Sequence, residues 1–177
     1  MSTTHLAQYS RQLVGTRWRL DPSGSRAEFR VPGFWGLTSV KGRFQRLDGW
    51  LEVDDDHRWR MELTLDAASL DTGNRRRDRH LGSADFFDVQ HHAEVRFRSS
   101  SVNDHGGSRL HVEGELEAAG ERARLQVEVT VKHADGRLDL DAAAAVDQRQ
   151  LGMTFSPLGM VRTPTALSVH ARLRRER

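Results

Sequence analysis

Leu110-His-Val-Glu-Gly-Glu-Leu-Glu-Ala-Ala-Gly-Glu-Arg-Ala-Arg-Leu-Gln-Val-Glu-Val-Thr-Val131 decides the fold class. Leu110, Val112, Gly114 and Leu116 alternate with His111, Glu113, Glu115 and Glu117. Beyond Ala119-Gly120-Glu121, the apolar Leu125, Val127, Val129 and Val131 alternate with Arg124, Gln126, Glu128 and Thr130. A period of two sends successive side chains to opposite faces of an extended chain. The run therefore reads as two antiparallel strands joined by a tight turn, with one face on a core and the other in water.

The same pattern extends in both directions. Towards the C-terminus, Ala134-Asp-Gly136 marks another hairpin turn. Leu138, Leu140, Ala142, Ala144 and Val146 continue the inner face. Asp147 to Thr165 breaks the alternation, and Leu167, Val169, Ala171 and Leu173 make a last strand. Towards the N-terminus, Val95, Phe97 and Ser99 follow the rule, and Asn103 to Ser108 reads as a turn. Met61, Leu63 and Leu65 form another inner face, as do Ala27, Phe29 and Val31, and Val40, Gly42 and Phe44. Leu47-Asp-Gly49 reads as a tight turn, with Trp50 to Val53 returning as a hairpin partner. Trp18 to Leu20 is a short strand stopped by Asp21-Pro-Ser-Gly24.

These segments amount to roughly eight to ten strands in an up-and-down meander. A flat sheet of that width would expose its apolar face and two edges, and closure into a barrel removes both problems. A two-layer sandwich is the main alternative. From Ser69 to Val89 the alternation stops, which predicts a short helical insertion near residues 74-88. Asp71, Thr72 or Asn74 is the candidate N-cap, Gly82 the terminator and Ser83 the cap of a second short helix.

Composition bounds the rest. At 177 residues the chain reads as one domain, with residues 1-16 a tail or short helix and residues 17-174 the barrel. Hydrophobic residues are 37% and charged residues 29%, and no apolar run approaches the ~20 residues of a spanning helix. Met1 to Gly15 lacks the basic start and apolar core of a secretory signal, so a cytoplasmic location is expected. The chain has no cysteine, which excludes disulfides, cysteine-ligated metals and thiol nucleophiles. With 27 basic and 25 acidic residues the formal charge is +2. Such a balance argues against nucleic-acid binding, which needs clustered positive charge.

Candidate chemistry is sparse. His91 and His92 are adjacent and so point to opposite faces of a strand, which makes them poor chelators. Asp85 and Asp88 flank Phe86-Phe87 and read as helix caps around core anchors. Arg75-Arg-Arg-Asp-Arg79 is the densest basic cluster. It reads as a solvated helix face with Asp78 paired locally, or as a headgroup site, since guanidinium groups grip anions bidentately. Two apolar segments lack alternation: Phe34-Trp-Gly-Leu37 and Gln150 to Val161. They are lids over a pocket or plugs of the barrel ends. The small inward residues Ala27, Gly42, Gly49, Gly114, Ala142 and Ala144 leave a cavity, or merely relieve crowding where strands bend.

Several segments together resemble the YceI-like family. They are Trp18-Arg-Leu-Asp-Pro-Ser-Gly-Ser25, Val40-Lys-Gly-Arg-Phe44, Ala68-Ser-Leu-Asp-Thr-Gly73 with Arg77-Asp-Arg-His-Leu81, Ser83-Ala-Asp-Phe-Phe-Asp-Val89, Val95-Arg-Phe97, Val112-Glu-Gly-Glu-Leu116 and Leu151-Gly-Met153. Their order and spacing run from about Trp18 to Leu173. The resemblance implies an all-β, lipocalin-like antiparallel barrel of about eight main strands. It implies binding of a long isoprenoid or other amphiphilic lipid in an apolar channel, and a possible homodimer. It carries over no catalytic residue, cofactor or metal. Where many members carry a histidine after the second strand, this chain has aromatics.

The expectation is thus a non-enzymatic carrier or sequestering protein. Phe29, Val31, Val40, Phe44, Leu63, Leu65, Phe86, Phe87 and Phe97 are the expected channel lining. Phe34, Trp35, Leu37, Met153, Phe155 and Met160 are expected at its mouth, with Arg75, Arg76, Arg77 and Arg79 as possible headgroup contacts. Two rivals remain at this level. One is an enzyme using His80, Asp85 or His91 as acid–base groups; the other is a filled barrel acting through protein contacts.

Overall fold

The computed structural model describes residues 12–32, 39–106, 108–153 and 164–176. Its strands are β1 (Thr16–Leu20), β2 (Arg26–Pro32), β3 (Ser39–Phe44), β4 (Leu47–Val53), β5 (Trp59–Asp66), β6 (Leu70–Asp71), β7 (Glu94–Gly106), β8 (Arg109–Ala118), β9 (Glu121–Ala134), β10 (Arg137–Val146) and β11 (Thr165–Arg175). One helix, α1 (Arg75–Leu81), lies between β6 and β7. All the strands join one antiparallel sheet, ordered β1-β4-β5-β7-β8-β9-β10-β11, and β11 pairs back onto β1. The ring closes, so the chain is a barrel and not a sandwich.

Eleven segments make eight staves because three staves are broken once. β1 and β2 follow one another along β11, with Leu20 opposite Leu173 and Ala27 opposite Val169. Between them a 3-10 turn at Pro22–Gly24 is capped by the Asp21 carboxylate, which accepts from the Ser23 N–H at 3.1 Å. β3 and β4 break at Gln45-Arg46, and β5 and β6 at a 3-10 turn, Ala67–Ser69, capped by Asp66. β4 pairs with β1 and β5, whereas β3 pairs with β2 and β6. β5 reaches β7 only as far as Asp66 opposite Glu94, and β6 does not pair with β7. A seam therefore opens at one end of the wall, where α1 and the turns after it lie.

Local chemistry explains the tight connections. Ala119-Gly120 and Asp135-Gly136 both have positive φ at both positions, 51° and 78°, then 54° and 71°. That is the twist-matched two-residue hairpin, and it gives the β8–β9–β10 run its register. α1 starts at Asn74, whose side chain accepts from the N–H groups of Arg76 and Arg77, both at 3.1 Å. It ends at Gly82, whose N–H donates to the Asp78 carbonyl at 3.0 Å.

Four local expectations are corrected. Leu47-Asp-Gly49 is not a turn: it lies inside β4, with Leu47 opposite Leu65 and Gly49 opposite Leu63. The glycine is there for a close approach, since a Cβ would come within 2.7 Å of the Glu62 carbonyl. Asn103 to Gly106 is strand, because β7 absorbs its irregular residues in register shifts at Ser99/Ser101 and Asp104/Gly106. Ser83 starts no second helix: residues 83–89 are turns, closed by N–H bonds of Phe86 and Asp88 to the Ser83 carbonyl. Asp85 and Asp88 cap nothing; their carboxylates face His80 and His91.

The core sits at the end where the strand stacks are complete. Leu13, Leu51, Val53, Leu110, Val112 and Leu138 are each no more than 1% exposed. Leu13 belongs to this end through the Thr16 hydroxyl, which donates to its carbonyl, and through Gly15, whose N–H donates to the Val53 carbonyl at 2.8 Å. We call this end the base. The other, where β2 ends and β11 begins, is the mouth.

Candidate binding site

Above the packed base the barrel is hollow. A cavity of about 420 Å³ runs from Leu20, Leu51 and Leu173 up to Val31, Val40 and Met153. The alternation that builds the strands also builds its wall. Every inward position of β10, from Leu140 through Ala142 and Ala144 to Val146, lines it, as do Leu167, Val169 and Ala171 of β11. Glu28 and Glu62 border it from outward-facing strand positions, and the Glu62 carboxylate is held outside by Arg98 at 2.8 Å.

The small inward residues divide into two kinds. A methyl group at Gly42 would overlap the Phe29 ring, and one at Gly114 would overlap the Phe97 ring and the Arg98 carbonyl. These glycines accommodate aromatic rings lying over them, which is relief of crowding. Ala142 and Ala144 face empty space instead and line the cavity. Both sequence expectations are therefore realised, at different positions.

The seam side is sealed by apolar groups from the excursion. Phe87 meets Phe44 edge-on with ring centroids 5.8 Å apart, and Phe86 and Leu81 line the cavity beside it. Both phenylalanines are half-buried and pack against the core as anchors.

Apart from Glu28 and Glu62 on the wall, the polar side chains that border the cavity among the described residues lie towards the mouth: Arg77, His80, Gln148 and Thr165. The buried Thr165 hydroxyl donates to the Gln148 amide oxygen at 2.8 Å. Arg77 is fixed by Thr72. Its Nε donates to the Thr72 hydroxyl at 2.8 Å and its Nη2 to the Thr72 carbonyl at 2.9 Å. The Thr72 hydroxyl in turn donates its hydrogen bond to the Asp78 carboxylate at 2.5 Å. Asp78 thus orients the threonine that orients the arginine, and it pairs with Thr72 and not with a neighbouring arginine. Arg75, Arg76 and Arg79 are exposed and do not line the cavity, so of the four only Arg77 reaches it.

All ten described residues expected to line the channel or its mouth border this one cavity: Phe29, Val31, Val40, Phe44, Leu63, Leu65, Phe86, Phe87, Phe97 and Met153. Phe34, Trp35, Leu37, Phe155 and Met160 lie outside the described residues. The expected set omitted the far wall, from Val112 and Leu116 through Leu125 and Val127 to Val146 and Leu167. The signal for those residues was already in hand, since the alternation assigns them to the inner face. Thr72 carries no comparable signal, because its role arises only when α1 folds back over β6.

The acid–base candidates do not converge in the cavity as a set. His80 borders the cavity, and its Nε2 lies 3.3 Å from Asp85, which is exposed. His91 is exposed and bound to Asp88 at 2.9 Å, outside the cavity. Among the described residues no cluster of histidine and carboxylate groups is arranged to hold a metal ion. No helix among them is long and apolar enough to cross a membrane.

A closed antiparallel eight-stave barrel around an apolar cavity, with polar groups at one end, defines a lipocalin-like barrel in architecture. The model of the YceI-like domain matches residues 18–173, and the chain belongs to that family. A UPF0312 protein of Vibrio cholerae is 33% identical over 106 residues, 58% of this chain and 56% of that one. A UPF0312 protein of Ectopseudomonas mendocina is 30% identical over 113 residues, 62% and 59% of the two chains. The matches span little more than half the length of these relatives. Among solved structures, Burkholderia cenocepacia BcnA superposes with a TM-score of 0.79 at 19% identity, covering 86% of this chain and 98% of that one. A polyisoprenoid-binding domain from Saccharophagus degradans superposes with a TM-score of 0.74 at 12% identity, covering 90% and 98%. At these identities the likeness is one of fold.

Proposed function

We propose that the protein binds and carries, without chemical conversion, a long apolar amphiphile of isoprenoid type. The observation that carries this reading is the cavity: apolar along its length and bordered at its mouth end by a few fixed polar groups. Such a site matches a ligand with an apolar tail and a polar head. Burying each methylene contributes about 0.8 kcal/mol, so a chain of useful length needs few polar contacts. In this reading the tail lies against Phe29, Leu65, Phe97 and Ala144, and the head meets Arg77 and the Gln148–Thr165 pair. The polyisoprenoid-binding neighbour of the same fold supports it. The mechanism is burial and release.

The test combines native mass spectrometry and organic extraction of protein from its own host with titration of prenyl alcohols and prenyl phosphates. A co-purifying lipid is expected, with an Ala144→Leu variant weakening prenyl binding by about tenfold or more while keeping its melting temperature. Absence of any lipid, together with prenyl compounds at micromolar levels that neither bind nor shift the melting temperature, would overturn the reading.

A further inference from the structure

Cations are unevenly partnered over this molecule. Along the wall most arginines meet a carboxylate, as Arg19 meets Asp48 at 2.7 Å, Arg98 meets Glu62 at 2.8 Å and Arg174 meets Asp21 at 2.6 Å. Around the mouth Arg30, Lys41, Arg75, Arg76 and Arg79 are exposed, and none forms an ion pair with a described residue. Arg30 and Lys41 stand directly opposite one another on β2 and β3. Like charges in that position repel. Both line a surface groove of about 510 Å³ whose wall includes Thr72 and Gly73, the residues that lead into α1. The chain runs from Gly73 through Asn74 directly into α1, which carries the three exposed arginines.

Acids at this end are mostly engaged. Asp71 binds Arg43 at 3.3 Å and Gln45 at 2.9 Å, Asp78 binds Thr72, Asp85 faces His80 and Asp88 faces His91. Glu28, on the groove wall, is the nearby acid without such a partner among the described residues. Acids at the base are engaged in the same way: Asp56 pairs with Arg58 at 3.4 Å, Asp54 with Arg60 at 3.8 Å and Asp135 with Arg137 at 3.8 Å. The mouth is set apart by its group of exposed cations on β2, β3 and α1 that meet no carboxylate among the described residues. Such a group produces a local positive field that attracts an anionic surface.

The geometry points to the mouth as a docking face for an anionic bilayer. The unpaired cations are spread over β2, β3 and α1 and do not converge on one point, which fits an extended surface better than a single small anion. The same end carries the polar groups of the cavity, and an apolar ligand resides in a bilayer when not in the protein. That last step rests on the carrier reading; the charge argument does not. Each basic side chain at an anionic membrane surface raises partitioning by about fivefold.

Sedimentation of the full chain with phosphatidylcholine vesicles, and with vesicles of equal parts phosphatidylcholine and phosphatidylglycerol, tests the proposal. Binding is expected only to the mixed vesicles, and to weaken as salt rises. An Arg75→Glu/Arg76→Glu/Arg79→Glu variant is expected to lose on the order of a hundredfold or more in partitioning. An Arg30→Gln/Lys41→Gln variant removes a repulsive pair, so it should fold at least as well, and it is expected to lose on the order of tenfold or more. A base variant, Arg58→Glu/Arg109→Glu/Arg137→Glu, changes net charge as much as the α1 variant and should keep vesicle binding. Equal loss in the base variant would mean that net charge alone acts, and would overturn the proposal. So would equal binding to neutral vesicles, or a wild type that ignores vesicles, which would leave an acidic protein as the partner that fits. Prenyl binding measured separately in vesicle-free solution reports on the carrier reading independently.

Discussion

The two ends of this barrel are built from the same strands by the same alternation, yet one is filled and the other hollow. At the base, Leu51, Val53, Val112 and Leu138 are wholly buried. Towards the mouth, Leu63, Phe86, Phe87, Phe97 and Leu167 are only partly buried, although they pack against that same core. The difference has two sources. Side-chain volume falls along β10, from Leu138 and Leu140 to Ala142 and Ala144. The wall itself also changes: staves are continuous at the base, but near the mouth β6 pairs with β3 on one side only and turns stand where β7 would pair on the other. A complete ring of large residues gives a core, whereas an incomplete ring with small ones leaves space. Tight packing therefore resides mainly at the base, and open space with its bordering polar groups towards the mouth.

The comparison makes its largest prediction at Leu138, which is wholly buried at the base. Leu138→Ala leaves a cavity in a packed region and should cost about 2–5 kcal/mol of unfolding free energy. Urea denaturation measures the loss. Prenyl binding by the fraction that stays folded should be little changed. A loss below about 1 kcal/mol would mean that the base is not the tightly packed region, and the contrast between the ends would fail.

The next effect tests the two kinds of small residue. Gly42→Ala places a methyl group against the Phe29 ring and should cost about 1–3 kcal/mol through overpacking. The obstacle is mainly the far end of a side chain, so Phe29→Leu should recover much of the loss in the double variant. Gly114→Ala meets the Arg98 backbone carbonyl as well as Phe97, so Phe97→Leu should recover little. If both double variants recover equally, the distinction between ring and backbone contact is wrong.

Much of this was legible in the sequence because strand alternation is a local signal. The inward faces of β8, β9, β10 and β11 follow directly from a period of two, and the hairpins from Ala119-Gly120 and Asp135-Gly136. The broken staves were not legible. Gly49 resembles a turn residue, yet its task is to admit the Glu62 carbonyl, and only the pairing of β4 with β5 reveals that. Closure of β1 on β11 joins residues at opposite ends of the chain, and no local pattern encodes it. The ten described residues expected at a channel all border the cavity because inward aromatic and branched side chains of a barrel must meet somewhere. Whether they meet a filled core or a cavity depends on summed volume, which alternation does not report. Arg77 shows the same limit: four arginines look alike in sequence, and only the fold of α1 over Thr72 turns that one towards the cavity.

The smallest effect concerns how the mouth is fastened. Asp71 ends β6 and holds the entry to α1. Its carboxylate accepts from the Gly73 N–H at 2.8 Å, from Gln45 at 2.9 Å and from Arg43 at 3.3 Å. The Gly73 bond, then Gln45 and Arg43, lower its pKa below the ordinary 3.8. A carboxyl group depressed in the folded state contributes stability that is fully present above its unfolded pKa. That contribution is lost as pH falls through the lower folded value, so the window lies below pH 3.8. Because Asp71 is at the surface, the global effect should be small. The local effect is the informative one. As pH drops through this window, hydrogen exchange in α1 and at Gly73 should accelerate relative to Leu138. Asp71→Asn should show faster α1 exchange already at neutral pH and a flatter response to acid. Exchange that quickens equally at α1 and at Leu138 would show that the mouth opens only when the whole barrel unfolds, and would remove the mechanical independence of the two ends.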